Sequence, residues 1–502
     1  MKKIATLLLA AGLVFGAATG ASAIDFKAKG QWIMSFDYGQ NGGFTGGNGM
    51  TGFNGKSGGR YANEDEFEAR QRVRLQLDAV ASEALSGTVF FEMGDTTWGN
   101  AGANNRNGGA LGADGLSVEV KNAYIDWIVP QTDLKIRMGI QGMALPSFTT
   151  GSNVFNDDVA GITASYQFNE NVAVTALWAR PFNDNYTANN TSKSNYMDNV
   201  DVAALLVPLT FDGVKVTPWV SYAAIGPNAF RNANGYFSNV TGANNAFPTA
   251  GMMALGGARH KSGAASTKAM GTYGNAVWAG LTGEVTAFDP FRIAWDFNYG
   301  SVSYADTRAN RSGYLGSLLF EYKLDWAIPG LVMWYASGDD GNPSNGSERM
   351  PSISVNNNNN GFSDFAFNGG PMIGREAVLG YDMSGTWGIG ARLKDMSFLE
   401  NLKHTLRLNV MGGTNSTSMV KYMPNAYSWN NQAYVPYMTT KDGLVEFNLV
   451  NSYKIYQNLE MNLELDYLVN CMDNSTWKKA QNPSSFSKQD MFQAKVVFAY
   501  SF

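Results

Sequence analysis

Apolar and polar residues alternate at every second position in many short segments of the chain. Phe291, Ile293, Trp295, Phe297 and Tyr299 alternate with Arg292, Ala294, Asp296, Asn298 and Gly300. Leu459, Met461, Leu463, Leu465 and Tyr467 alternate with Glu460, Asn462, Glu464 and Asp466, and Phe492, Ala494, Val496, Phe498, Tyr500 and Phe502 share one parity. A period of two means strands whose two faces meet different surroundings. In Glu66–Asp78 the split is sharper: Arg70, Arg72 and Arg74 share a face with Glu66, Glu68, Gln76 and Asp78, and Phe67, Val73, Leu75 and Leu77 take the other.

Beyond the first 23 residues, no apolar stretch approaches the roughly 20 residues of a membrane-spanning helix; the longest, around Val202–Phe211, is about half that. Short alternating segments, 56 glycines, abundant Asn and 13% aromatic residues instead form the signature of a transmembrane β-barrel. Carboxylates and guanidiniums on strands inside a bilayer require a wet lumen, and backbone groups in hydrocarbon must all be paired, so the sheet must close.

The connections fall into two lengths. Short ones are expected at 81–84, 130–132, 169–171, 212–213, 288–290, 325–330, 395–402 and 456–458, and long Gly/Asn/Ser-rich ones at 39–63, 94–115, 224–275, 337–375 and 412–442. Eight short turns join sixteen strands, and one further strand at each end gives an all-β, antiparallel up-and-down barrel of eighteen, with sixteen as the alternative count. Barrels of this size enclose an aqueous channel, whereas about eight strands are filled by their own side chains. Short turns are expected on the periplasmic side and long loops outside.

Lys2 and Lys3 precede an apolar run, Ile4–Ala18, and the small residues Ala21-Ser22-Ala23, the layout of a cleaved secretory signal. The expected organisation is a signal over 1–23 and one barrel domain over 24–502. With Lys2 and Lys3 set aside, 35 basic side chains stand against 42 acidic ones, a net charge of −7. No basic excess points to nucleic acid. A single cysteine, Cys471, excludes an internal disulfide, and two histidines, His260 and His404, leave little for metal clusters or triads.

Several motif matches lack their context. Gly47–Gly52 fits a dinucleotide pattern and Gly55–Gly59 fits Gly-x-Ser-x-Gly, but neither follows a strand into a helix. The segment Ser337-Gly-Asp-Asp-Gly-Asn-Pro-Ser344 and the run Asn356–Asn360 offer oxygen ligands for a loop-bound Ca²⁺, though not at EF-hand spacing. No other cofactor and no enzymatic chemistry is expected.

The leader, the terminal Phe502, the strand Glu66–Asp78 and the stretch Lys121–Asp126 resemble trimeric general porins. Gly139–Gln141 running into Ala144–Phe148, Asp157–Gly161 and Ser337–Pro343 are similar to the homotrimeric porins of sulfate-reducing, Desulfovibrio-type bacteria. This resemblance implies a homotrimer in the outer membrane of a Gram-negative bacterium, passive diffusion of small hydrophilic solutes and ions, and delivery to the barrel-assembly machinery through an aromatic final strand carrying Phe498, Tyr500 and Phe502. It also implies a third outer loop folded inward against a basic wall. On the strand count that loop is Ala144–Ala160, with Asp157 and Asp158; the Pro-Glu-Phe-Gly-Gly type of loop is absent.

Arginine near the bilayer midplane costs about 2–4 kcal/mol on the lipid side, so Arg70, Arg72 and Arg74 are placed in the lumen. Opposed to Asp157 and Asp158 they would set a transverse field across the pore; paired with Glu66, Glu68 and neighbouring acids they would brace the wall. Arg137 is a further basic-wall candidate, and Glu92, on the lumen face of 85–93, a candidate counterion. A substrate-selective channel for sugars or organic acids is the alternative function, and a barrel enzyme using His404 the remaining one.

Overall fold

A computed structural model describes residues 24–40, 66–99, 108–111, 118–183, 199–227, 252, 272–305, 307–342, 344–355, 362–367, 379, 382–420, 438–478 and 488–502. In chain order the strands are β1 (Asp25–Gln40), β2 (Glu66–Ser82), β3 (Leu85–Thr97), β4 (Val118–Ile128), β5 (Lys135–Ala144), β6 (Asn156–Gln167) and β7 (Ala173–Asn183). β8 comes in two pieces, Asn199–Leu206 and Leu209–Phe211, followed by β9 (Val214–Ile225), β10 (Gly274–Val285), β11 (Phe291–Ser303), β12 (Arg311–Tyr322) and β13 (Ile328–Ala336). β14 (Thr386–Leu399), β15 (Leu402–Gly413), β16 (Gly443–Tyr456), β17 (Leu459–Asn470) and β18 (Met491–Ser501) complete the set. Both pieces of β8 pair with β9; the break falls at Val207-Pro208, where proline has no N–H for the ladder.

Every strand is antiparallel to its neighbours, and β1 pairs with both β2 and β18, so the ring of eighteen is closed. The eight short turns fall close to where the alternation places them, with two shifts. The 325–330 turn lies at 323–327, because residues 328–330 already belong to β13. β14 runs on to Leu399 through two register irregularities, which leaves only Glu400-Asn401 as the turn.

The outward face is apolar and ends in aromatics. Phe168, Phe288, Phe398 and Tyr456, all at short turns, are 61–71% exposed, and Tyr222, Tyr299, Tyr314 and Tyr335 occupy the opposite ends of their strands. Paired rims of this kind are the girdles of a barrel in a bilayer.

The closing seam has its own lock. Gly30 and Phe502 exchange backbone hydrogen bonds of 2.9 and 3.0 Å, and the Phe502 ring lies on Gly30 so closely that a Cβ there would sit 2.5 Å from its Cζ. Trp32 packs beside it, 5.2 Å from Phe502 and 6.0 Å from Tyr500 between ring centroids, and Phe36 meets Phe498 edge-on. The three aromatics singled out in β18 thus lie on the outward face across the β1 seam.

The large core cluster lies inside the barrel, not between layers. Leu177, Val202, Trp219, Trp278, Leu319, Val332 and Trp334 point inward from β7–β13 and are buried. They meet Val154, Phe155, Met350, Ile353, Phe365 and Phe367 from two loops that enter the lumen.

Candidate functional site: the inward face of the barrel

Outside the bulges, register carries one parity round the ring, so the inward residues follow from pairing. On β2, Arg70 bonds Glu68 at 2.6 Å, Arg74 bonds Glu92 of β3 at 2.7 Å, and Arg72 lies 3.9 Å from the same Glu92. Along this wall Arg137 of β5 grips Asp126 of β4 through two bonds of 2.7 and 2.9 Å, with its guanidinium 4.1 Å over the Tyr124 ring. Fork-to-fork pairing of this kind fixes orientation as well as charge.

The far wall carries a longer chain of ion pairs. Lys215 of β9 reaches Glu284 of β10 at 3.0 Å; Arg292 of β11 joins Glu284 at 2.9 Å and Glu321 of β12 at 2.7 Å; Arg392 of β14 meets Glu321 at 2.6 Å. Arg407 of β15 stands directly across from Arg392 and pairs with Asp364 of an inward loop, while Arg392 stacks 4.0 Å over Phe362. Two facing guanidiniums are tolerable here because each has an anion and one has a ring face.

The first inward loop, 145–155, leaves β5 and crosses to β11. Buried Asp296 receives Ser147 Oγ at 2.5 Å, the Phe148 and Thr149 backbone N–H groups at 3.0 and 3.2 Å, and the hydroxyls of Thr149 and Thr282. Arg292 donates to the Phe148 carbonyl at 2.9 Å. A carboxylate with several donors is well satisfied despite burial, so it holds the loop against the wall.

A second segment docks on the first. Ile353 N donates to Val154 O at 2.7 Å, Asn156 N to Ser354 O at 2.7 Å, and Ser354 Oγ to Asp157 at 2.6 Å. Further on, residues 362–367 wrap Glu446 of β16: Ser363 Oγ, Phe365 N and Ala366 N donate to one of its oxygens at 2.8–3.0 Å, and Asn409 Nδ2 to the other at 2.9 Å. The lumen therefore has a filled side, β7–β16 with these loops, and a side lined by the β2–β5 charges.

Asp157 and Asp158 do not belong to the third loop as expected. β6 begins at Asn156, and the two aspartates pair with Met143 and Gly142 of β5. Polar residues at the outer end of a strand have no signature that separates them from loop. Asp158 bonds Lys121 of β4 and, at 3.0 Å, Asn122. Nor do these aspartates face Arg70, Arg72 and Arg74 across the pore: β6 is four strands from β2 in a ring of eighteen, and the diametric strand is β11. Arg137 sits near the short-turn end of β5, whereas Arg70 is near the loop end of β2.

Cys471 is exposed just past β17, and His404 bonds Asn451 at 2.6 Å near a short turn. Beside Asp339 and Asp340, burial first and then the charges of those two aspartates raise the Glu348 carboxyl above its usual range. Among the described residues, no group of three or more His, Cys, Asp or Glu side chains is placed to hold a metal ion. The leader 1–23, Gly47–Gly52, Gly55–Gly59, His260 and Asn356–Asn360 lie outside the described residues.

Lys121 was not singled out for the lumen because parity opposes it. At the bulge where Phe90 pairs with Asn122 but Phe91 with Val120, Lys121 keeps the parity of outward Ala123 and Ile125, and its partner Asp158 is in register with Gly142 on that same parity, so their ion pair lies off the lumen face. Asp296 and Arg292 were legible as water-facing from alternation, but not as loop anchors. Glu446 carried no signal beyond its parity.

No protein-family model and no curated protein matches the chain. Solved structures do. OccAB3 of Acinetobacter baumannii aligns at 10% identity with a TM-score of 0.50, over 95% of this chain and 100% of that one. OpdQ of Pseudomonas aeruginosa aligns at 10% identity and a TM-score of 0.48, over 95% and 98%. The outer membrane protein OpdK of the same organism gives 10% identity and 0.48, again over 95% and 98%. At such low identity the likeness concerns the fold alone: the chain shares a closed antiparallel barrel, here of eighteen strands, along the length of the OccAB3 structure.

Proposed function

We propose that this protein is an outer-membrane porin of a Gram-negative bacterium, a water-filled channel through which small hydrophilic solutes and ions diffuse passively. One observation carries the reading: a closed barrel of eighteen strands, apolar outside, lined within on β2–β5 by the charged residues Arg70, Arg72, Arg74, Glu92, Asp126 and Arg137. A wall of ion pairs facing hydrocarbon would be prohibitively costly, and a wall facing a packed interior would not leave side chains partly exposed. The charges orient a passing dipole and release it again.

The homotrimer and the role of Phe498, Tyr500 and Phe502 in assembly belong to the same reading. It is supported by the outward aromatic cluster at the seam and by the resemblance in sequence. Substrate selectivity is the second reading, favoured by the two loops that occupy one side of the lumen and narrow the path.

Purified protein in a planar bilayer should give a stable, voltage-tolerant conductance in three equal steps, and liposomes carrying it should swell in small sugars. Impermeable liposomes and a silent bilayer would sink the channel reading. A single conductance step with retained permeability would remove only the trimer.

A further inference from the structure

Beneath the 145–155 loop, on the inward faces of β4–β8, lies a cavity of about 340 Å³. It sits toward the short-turn end, where Asp126 is two residues from the end of β4 and Lys135 is the first residue of β5. Its size is at the lower end of small-ligand pockets, roughly 300–1,000 Å³, enough for one six-carbon solute and a little water.

The lining divides in two. Leu177 and Leu206 form an apolar floor, continued upward by Met143 below the loop. Thr163, Ser165 and Thr175 set a row of hydroxyls beside it; Ser165 and Thr175 share a 2.8 Å hydrogen bond, and Thr163 donates to Gln141 at 3.2 Å. A hydroxyl that donates once still accepts, so this row presents acceptors to a solute. Beside it, in register with Thr163, stands the Arg137–Asp126 pair. Its two formal charges cancel, while Arg137 Nη1 donates to no described residue and the carboxylate oxygens keep spare lone pairs.

We infer that this cavity is a transient binding station for a neutral polyol of hexose size. An apolar floor fits the C–H face of a sugar ring, a hydroxyl row fits its rim, and a planar Arg–Asp fork is a donor–acceptor pair for neighbouring hydroxyls. A purely ionic solute would leave the floor wet, and a purely apolar one would strip water from the hydroxyls and the fork without replacing its hydrogen bonds. The inference rests on the channel reading and adds a solute class to it. Lys135 lines the mouth and is exposed, so the competing occupant is a six-carbon polyol bearing a carboxylate.

Single-channel currents in D-glucose decide the matter, because a sugar resident in the lumen blocks ions while it stays. Wild-type protein should show concentration-dependent block by D-glucose, little block by glycerol, and no stronger block by D-gluconate. Thr163→Val/Thr175→Val should raise the half-blocking glucose concentration at least tenfold, read against that variant's own open-channel current. If that variant gives no channels, Leu206→Gln serves, with the same expected loss. Conducting wild-type channels indifferent to glucose overturn the inference and leave the channel intact. Stronger block by gluconate, abolished by Lys135→Gln, overturns it in favour of an anion. No conductance at all would instead count against the channel.

Discussion

The two sides of this barrel are built from one ladder and used oppositely. Along β10–β14 the inward positions include Trp278, Ala294, Leu319, Val332 and Trp334, all under loops that carry Phe155, Met350 and Phe367. Along β2–β5 they include Arg70, Arg74, Glu92, Asp126 and Arg137, paired yet partly open to the lumen. The outward faces of both sides are the same apolar band. The inward parity therefore divides the walls: large apolar residues at the inner positions of one side pack against loops, while the other carries ion pairs without that apolar layer. The filled side keeps a few carboxylates, and those are where its loops are fastened.

Asp296→Ala should have the largest effect, because it attacks that fastening. It removes the acceptor of Ser147 Oγ and of the Phe148 and Thr149 N–H groups, while Thr282 keeps the Trp295 carbonyl at 3.1 Å and the Thr149 hydroxyl keeps Ser317 at 2.6 Å, and each buried donor left orphaned costs about 1–3 kcal/mol. The loop should leave β11, with larger and noisier single-channel currents and liposome swelling in bulkier sugars. Glu446→Gln should act in the same direction by about 1 kcal/mol, since one carbonyl acceptor remains and Arg407 still holds Asp364. Because the two inward segments touch at Val154–Ile353, the pair of changes should be non-additive. Unchanged currents in both proteins would mean that packing, not these carboxylates, seats the loops.

Gly388→Val ranks next and tests the filling itself. Trp334 lies flat on Gly388, and a Cβ there would be 2.2 Å from a ring carbon, so the indole must move. Overpacking of this kind typically costs about 1–3 kcal/mol. The displaced ring should push against Phe367, which it meets edge-on at 6.0 Å, and lower the melting temperature of the folded barrel in detergent. A comparable bulk increase on the wet side, such as Ser86→Leu on the inward face of β3, should leave that temperature nearly unchanged. Equal losses at both positions would erase the distinction between the sides.

Much of this was readable from the chain, and the failures share a cause. Strand alternation, the short turns and the lumen placement of the arginines follow from local periodicity, which a single strand reveals by itself. The seat of 145–155 on Asp296 joins residues about 148 positions apart, and nothing periodic marks such a contact. The Lys121–Asp158 pair joins residues 37 positions apart across β5, which alternation along either strand does not mark. Asp157 and Asp158 were given to a loop because β6 starts with Asn-Asp-Asp, which is indistinguishable in sequence from the polar stretch before it. Local rules locate strands; docking between loops and distant walls has to be seen.

The smallest structural effect, and the one most specific to the wet side, is expected for Arg70→Gln/Arg72→Gln/Arg74→Gln. The pairs with Glu68 and Glu92 are partly exposed to the lumen, so losing each should cost no more than about 1 kcal/mol of stability. Selectivity is another matter, because Glu68 and Glu92 remain and the wall turns negative. The reversal potential in a salt gradient should shift toward cations. That shift should be large near 0.1 M salt, where the screening length is about 10 Å, and largely gone near 1 M, where it is about 3 Å. Arg292→Gln is the contrasting substitution on the filled side. It breaks the Glu284–Arg292–Glu321 chain and the bond to Phe148, so it should alter the size of the current through the loop, with little dependence of that change on salt. If the β2 arginines instead changed current size and left ion preference alone, they would be braces of the wall and not part of its field.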